Sequence, residues 1–287
     1  MVQTAMTGQN PLQKYFRQPK LYIKLPSEGK FYPAGAFEQT ETGEIPVFSM
    51  TAKDELAFKT PDALLNGQAT VEVIQSCIPN IKNAWQMPSI DLDAALIAIR
   101  MATYGEILTI TTKTPVTGEE KEFSLDLRQL FDEFANLTYD TEVLMQDMVI
   151  HLRPLSYQEY TKAALKTFEE QRIFNLVNNE SISDEDKLQA FTNSFTKLTQ
   201  LTVDMVTQGI SKIVIGEEEV TNKKFIDEFI KNADKEFFSA ITRHLEVQKE
   251  KYSLKPLRAS ATPEEIEKGV PTTYDIPITF DQSNFFA

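Results

Sequence analysis

The stretch that decides the fold is residues 50–105, which read MTAKDELAFKTPDALLNGQATVEVIQSCIPNIKNAWQMPSIDLDAALIAIRMATYG. This stretch predicts three helix N-termini. Thr51 with Asp54 forms the first, because a hydroxyl accepts from orphan N–H groups and an acid suits the positive end of a helix. Thr60 followed by a proline forms the second, and Asp91 is predicted to cap the third, which runs to about residue 103 with one apolar face. The stretch predicts a compact helical core.

Strands are expected on both sides of this core. After Gly105 the apolar residues change from helical spacing to alternation, and Thr117-Gly118 separates two alternating runs. Alternation around such a turn predicts a β-hairpin. The elements expected outside the core in this half are strands at 21–23 and 43–50, a hairpin of 107–113 with 120–127, a short helix at 127–135 and a strand region at 143–152.

The second half of the chain is predicted to be mainly helical. Ser156 and Glu159 have the spacing of a capping box for a helix that ends near residue 177. Ser183 opens a helix expected to reach about residue 213, and two further helices start at Asn222 and Asp234. The predicted fold is therefore α+β, with a mixed N-terminal domain of short helices, strands and a hairpin, a mainly helical second half and an extended C-terminal tail. The four predicted segments are a flexible basic arm at 1–19, an α+β domain at 20–153, a helical domain at 154–252 and an extended tail at 253–287.

Composition narrows the class of partner. The chain of 287 residues is 41% hydrophobic and 25% charged, as in a soluble globular protein, and carries a formal charge of −13. Residues 1–30 hold five basic residues and only one acid, so the rest of the chain is still more acidic. An acidic body repels nucleic acid and anionic membranes, which argues against both as partners. No apolar run approaches the ~20 residues of a membrane span, and the N-terminus has no apolar core of a signal peptide.

The two ends of the chain have the character of docking segments. Residues 1–18 are polar apart from Tyr15-Phe16, and their basic side chains suit either an acidic protein surface or solvent. Residues 276–287 alternate like a strand and finish near Phe285-Phe286. This tail is expected either to close the sheet of its own domain or to contact another chain.

No catalytic constellation is visible. His151 and His244 fall in different predicted elements. The single cysteine, Cys77, lies in an apolar helix, so it is expected to be a small core residue and not a nucleophile. One cysteine is also typical of a reducing cytoplasm. Asp91 and Asp93 are explained by helix capping and by the helix dipole. The residue pattern therefore predicts no enzyme activity and no cofactor.

An ordered series of motifs carries a family resemblance. The series covers roughly residues 20–105, and the long second half with its Asn-Phe-Phe ending is similar as well. The motifs are Leu25-Pro26-Ser27-x-Gly29-x-Phe31-Tyr32-Pro33, Gly43-Glu44-Ile45-Pro46-Val47, Met50-Thr51-Ala52-Lys53-Asp54-Glu55, Lys59-Thr60-Pro61-Asp62-Ala63-Leu64 and Ala98-Ile99-Arg100-x-Ala102-x-Tyr104-Gly105. With this series the chain resembles the baseplate hub protein family of T-even-type contractile-tailed bacteriophages.

The resemblance implies a non-enzymatic structural subunit or assembly factor of the central baseplate hub. The alternative is a transient assembly chaperone for tape-measure or hub proteins that is absent from the mature virion. Either way the implied partners are other hub or tape-measure proteins, in an oligomeric assembly, located in the tail baseplate or in the host cytoplasm during assembly. Members of the family often carry a Cys-Pro-x-Cys-Gly knuckle, for which this chain has Thr114-Pro115-Val116-Thr117-Gly118. Threonine cannot replace thiolate ligands of zinc, so no metal is expected.

Large apolar side chains outside the helical core are the candidates for partner contact. Phe31 and Tyr32 lie in a turn fixed by two prolines and a glycine, and Trp85 lies in a proline-flanked loop, where it covers the core or meets a partner. The predicted partner-binding residues are Tyr15, Phe16, Phe31, Tyr32, Trp85, Phe285 and Phe286.

Overall fold

The computed structural model describes residues 10–59, 67–177 and 183–278, with the backbone alone at 11, 173–177 and 184. The fold is α+β, as predicted. Its helices are α1 (Ala52–Phe58), α2 (Gln68–Cys77), α3 (Leu92–Tyr104), α4 (Leu127–Ala135), α5 (Tyr157–Val177), α6 (Asp184–Gly209), α7 (Lys223–Asn232), α8 (Lys235–Lys251) and α9 (Pro263–Glu267). Its strands are β1 (Pro19–Ile23), β2 (Ile45–Phe48), β3 (Ile107–Lys113), β4 (Glu120–Asp126), β5 (Glu142–Met145), β6 (Met148–Leu152), β7 (Ile210–Ile215), β8 (Glu218–Val220), β9 (Leu257–Ser260) and β10 (Thr273–Ile276).

Helix α3 is the centre of the main core. Every residue from Ala94 to Ala102 is buried, because α2, α4 and the antiparallel pair β1–β2 all pack against this helix. The prediction of a single buried face was therefore too narrow. A helix that is apolar on all sides belongs inside a domain, and α3 is covered from several directions rather than lying on a surface.

Local sequence signals set the ends of several elements as predicted. In α1 the Thr51 side chain accepts from the Asp54 N–H while the Asp54 carboxylate accepts from the Thr51 N–H, which completes a capping box. Ser156 and Glu159 make the same reciprocal pair at the start of α5. The hairpin is confirmed as β3 paired with β4. The helix predicted to start at Thr60 falls in 60–66, outside the described residues.

One part of the helical half is a sheet. The helix from Ser183 was predicted to reach residue 213, but α6 ends at Gly209 and the next residues form β7. The reason is that four of the six residues at 210–215 are β-branched, and this stretch pairs with β6 on one side and β8 on the other in the order β5-β6-β7-β8. This sheet joins residues on both sides of position 153, and the division into domains at that position stays a prediction.

The region after Ser253 contains more structure than an extended tail. Strands β9 and β10 pair in antiparallel register, with Leu257 opposite Ile276. Between them Thr262 and Glu265 form a capping box that opens α9, a signal missed because the helix has only five residues. Val270, Tyr274 and Ile276 are buried in a small cluster that also includes Ile110 and Phe123 of the hairpin. Up to residue 278, this segment packs on a distant part of its own chain.

The turn from Leu25 to Pro33 is held by a buried acid. Asp91 was predicted to cap α3, but its side chain makes no capping bond. Its carboxylate points into the protein, where it accepts the Ser27 N–H at 2.8 Å, the Ser27 hydroxyl at 2.5 Å and the Tyr32 hydroxyl at 3.0 Å. Asp91 is completely buried, and these three donors offset the cost of removing the charge from water. The capping prediction is wrong because tertiary donors outcompete the helix end.

Gly29 in this turn offers a matched test of the packing. Its φ is +78°, and an added Cβ would lie 2.3 Å from Gln39 Oε1 and 2.7 Å from Phe37 Cε1. Gly35 has φ +80° and nothing within 4 Å of such an atom. We expect Gly35→Ala to lower the free energy of unfolding by about 1–2 kcal/mol through backbone strain alone. Gly29→Ala should cost about 1–3 kcal/mol more, because the Phe37 ring must move. Equal values in urea unfolding would contradict this packing.

Candidate docking site

The N-terminal arm, residues 10–17, is fixed to the body of the protein by one side chain. The Arg17 guanidinium donates to the backbone carbonyls of Ser49 and Ser76 and lies 3.4 Å from Asp54 Oδ2. It also packs over the Phe48 ring at 5.6 Å. Asp54 is buried, so Arg17 supplies the opposite charge that a buried carboxylate needs. Residues 10–17 of the arm are therefore held by a surface of their own chain, through Arg17.

The arm turns its apolar side chains outward. Residues Pro11–Tyr15 form a 3-10 helix started by the Asn10 side chain. Leu12 is 60% exposed, Tyr15 74% and Phe16 56%. The Lys14 ammonium lies 4.9 Å from the centre of the Tyr15 ring, so positive charge and aromatic surface stand side by side. An anchored segment with exposed aromatic side chains is typical of a docking surface.

Phe31, Tyr32 and Trp85 lie against the protein's own core. Phe31 packs edge-on against Tyr139, and Tyr32 stacks on Phe37 and donates to Asp91. Trp85 stacks on Tyr157 at 5.6 Å. Phe285 and Phe286 fall outside the described residues. Of the seven predicted residues, only Tyr15 and Phe16 stand together on a described surface, and a partner role for all seven stays a prediction.

A second candidate is a cleft of about 430 Å³ where the helical core meets the second half. We call it the junction cleft. Its walls come from the start of α3, from the loop around Pro154, from α6 and from α8. The lining includes Leu92, Asp93, Tyr139, Arg153, Val206, Leu245, Glu246, Lys249 and Tyr252. Most of the exposed wall area is apolar, so the polar groups that face the cleft decide what it can bind.

Asp93 and the Tyr252 hydroxyl are polar groups of the junction cleft that have no partner among the described residues. Asp93 is half-buried and forms neither a hydrogen bond nor an ion pair with any residue that the structure describes. Burial raises the pKa of its carboxyl to about 7. The Tyr252 hydroxyl is buried and, within the described chain, also has no hydrogen-bond partner. Two cations also line the cleft: Arg153 is paired with Glu159 at 2.7 and 3.0 Å, and Lys249 is exposed and forms no ion pair with Asp93.

Because the pKa of Asp93 is raised, we expect the free energy of unfolding to depend on pH. Its proton is held more strongly in the folded chain than in the unfolded chain, so ionisation destabilises the fold as pH rises from about 4 to about 7. We expect Asp93→Asn to match the parent near pH 4 and to gain about 1–2 kcal/mol of unfolding free energy at pH 8, after allowance for solvent screening. Denaturant titrations at the two pH values measure the difference. A gain that is the same at both would contradict an unpaired carboxylate.

The two histidines and the cysteine, residue types that often act in catalysis, contact other parts of this protein. His151 Nδ1 lies 3.5 Å from Glu142, and His244 Nε2 lies 2.8 Å from the Asp140 carbonyl. Cys77 is fully buried, and burial raises its pKa to about 12, which opposes thiolate chemistry.

Residues Thr114–Gly118 form a turn that contains no cysteine. The Gly118 N–H donates to the Thr114 carbonyl at 2.9 Å, and Val116 has φ +69°. Across the residues described, no group of three or more His, Cys, Asp or Glu side chains is arranged to hold a metal ion. Within the same residues, no helix is both long enough and apolar enough to cross a membrane. That the chain binds no metal and no cofactor stays a prediction.

Sequence reasoning missed Arg17 and the unpaired state of Asp93. Arg17 was counted only as one of the basic residues near the N-terminus. Its position between Tyr15-Phe16 and the first strand, where the arm joins the folded body, was the available signal. Asp93 was assigned to the helix dipole. No local pattern distinguishes it from Asp91, because the partners of Asp91 are Ser27 and Tyr32, while the surroundings of Asp93 come in part from α6 and α8.

Comparison with known proteins adds the family. The family model described as T4 bacteriophage base plate protein matches residues 18–260. The searches of curated proteins and of solved structures find no match. The matched range begins directly after Arg17 and includes α3, the hairpin, the four-stranded sheet and the junction cleft. It covers most of the chain. The chain therefore belongs to the T4 bacteriophage base plate protein family.

Proposed function

We propose that this chain is a non-enzymatic structural subunit of the central baseplate hub of a contractile phage tail, and that its N-terminal arm docks on neighbouring hub or tape-measure proteins. Membership of the family gives the coarser role, which is structural or assembly work in a phage baseplate beside other baseplate proteins. The observation that carries the finer role is the arm: Arg17 is fastened to Ser76 and Asp54 while Tyr15 and Phe16 stay exposed.

The physical argument for docking is the cost of ordering a segment. Each fixed residue loses roughly 1–2 kcal/mol of backbone entropy. Arg17 already fastens one end of the arm, so a partner that meets Tyr15 and Phe16 needs to order few further residues. Burying each ring would then contribute about 1.5–3 kcal/mol. Preorganisation of this kind favours affinity for a partner over solvation of the arm.

The charge pattern supports a protein partner. The arm is basic while the whole chain carries −13, so the arm of one molecule attracts acidic protein surfaces and the body repels nucleic acid. The location that we propose is the tail baseplate of the virion, after assembly in the host cytoplasm.

Peptide mass spectrometry of purified virions tests this function. A structural subunit should appear in intact particles in constant ratio to the other baseplate proteins. If the chain is abundant in infected cells but absent from purified particles, it is a transient chaperone for hub or tape-measure proteins, and the structural proposal is wrong.

A further inference from the structure

We infer that copies of this chain associate head to tail, with Lys14, Tyr15 and Phe16 of one copy seated in the junction cleft of the next copy. The inference rests on the proposed docking role of the arm and names the surface that receives it. The chemical match is between an ammonium beside two exposed aromatic rings and an apolar cleft with an unpaired carboxylate.

The junction cleft offers a half-buried carboxylate with apolar neighbours. Asp93 has no partner among the described residues, and neither does the buried hydroxyl of Tyr252. Arg153, Lys249 and Glu246 also line the cleft, but Arg153 is paired with Glu159, Lys249 and Glu246 are exposed, and none of the three pairs with Asp93. Leu92, Val206 and Leu245 supply apolar contact. A half-buried carboxylate without a partner destabilises the fold, and an incoming ammonium removes that cost while apolar side chains fill the space around it.

Lys14 and its aromatic neighbours have the charge and the apolar surface that the cleft can bind. Lys14 is exposed and next to the two most exposed rings of the arm. The cluster is short, so it fits a cleft of about 430 Å³ better than a whole helix does. The occupant is therefore a turn of chain that carries one cation and two rings.

The arm and the junction cleft lie at opposite ends of α3. Arg17 binds the Ser49 carbonyl, and the next residue, Met50, donates its N–H to Thr103 at the C-terminal end of that helix. Leu92 and Asp93, at the other end, line the cleft. The 13 residues of α3 span roughly 20 Å.

The same copy cannot supply the occupant. Lys14 lies three positions before the Arg17 anchor, and even a fully extended stretch of that length covers only about 10 Å. None of residues 10–17 lines the cleft. A donor and an acceptor on opposite ends of one molecule make a heterologous contact, which generates rings or open filaments.

Site-specific cross-linking tests the contact. Cys77 is fully buried, so introduced cysteines are the ones that react. Gln13→Cys places a thiol on the arm, and Ser89→Cys places one in the cleft wall; both variants leave Lys14 and Asp93 intact. A mixture of the two variants, treated with a bismaleimide, should give covalent dimers. The matched control pairs Gln13→Cys with Ser124→Cys, an exposed site on β4 away from the cleft, and should give none.

Sedimentation of the full chain tests the ion pair. Lys14→Gln and Asp93→Asn should each weaken self-association by roughly tenfold or more. The double variant should be no weaker than either single variant, because both remove one shared interaction. A chain that remains monomeric at all concentrations, or cross-linking equal to the control, overturns the inference. If the chain is nevertheless found in virions, the proposed hub function stands and only this contact fails.

Discussion

Replacing Asp91 with alanine is expected to lower the free energy of unfolding by about 2–4 kcal/mol, one of the largest effects of any single change in this chain. The substitution leaves the Ser27 N–H, the Ser27 hydroxyl and the Tyr32 hydroxyl without their acceptor in a buried site. Part of the loss is offset, because burial raises the pKa of Asp91 to about 6 and its ionised form is held at a cost. Urea unfolding at pH 7 measures the net value.

Asp91→Asn is the matched control for this prediction. Asparagine keeps the volume and one carbonyl acceptor, and it removes the buried charge, so we expect a change within about 1 kcal/mol. A similar loss for alanine and asparagine would mean that charge, not hydrogen bonding, holds the turn of residues 25–33. No loss for alanine would contradict the role of Asp91 in the fold.

Replacing Arg17 with alanine should cost about 2–3 kcal/mol and release the arm. The change removes the positive partner of buried Asp54 and two donors to the carbonyls of Ser49 and Ser76. Asp54 keeps its bonds from Thr51 and Ser76, which limits the loss. The arm should then be cut by protease near Lys14 under conditions in which the parent is resistant.

Arg17→Lys separates charge from geometry. Lysine keeps the charge beside Asp54 but has no planar fork to reach two carbonyls at once, so about half of the stability loss should remain. The free energy of unfolding and the rate of cleavage near Lys14 are measured on the same samples. If Arg17→Ala leaves both unchanged, the arm is not held by this side chain.

The parts of the fold that depend on local sequence could be predicted. Thr51 with Asp54 and Ser156 with Glu159 form their capping boxes within four residues, so no tertiary information is needed. The hairpin of β3 with β4 is similar, since alternation and a short turn are both visible in the sequence.

The parts that depend on distant contacts could not be predicted. Strand β7 follows directly on a long helix and becomes a strand because β6, about sixty residues earlier, offers it an edge. Asp91 has the local pattern of a cap, and its real partners are more than fifty residues away in the turn that carries the family motif. That turn therefore has a physical reason for its Ser and Tyr, which donate to a buried carboxylate, and for its Gly, where a Cβ would collide with Gln39 and Phe37.

The candidate site was predicted in part for the same reason. Aromatic residues within a polar arm can be recognised in the sequence, and on that basis Tyr15 and Phe16 were predicted to contact a partner. The anchor at Arg17 depends on Ser76 and Asp54, which only the fold brings together. The junction cleft is formed by five separate segments, so no single stretch of the chain predicts it.

The most direct test of the account is incorporation of arm variants into phage particles. Host cells would express the parent chain and a Tyr15→Ala/Phe16→Ala variant at equal levels during infection, and mass spectrometry would compare their arm peptides in purified virions. Neither substitution touches the core, so both chains should be equally stable before assembly. The account predicts that particles contain the parent and are depleted of the variant by roughly tenfold or more. Equal amounts of the two chains in the particles, or absence of both, would contradict it.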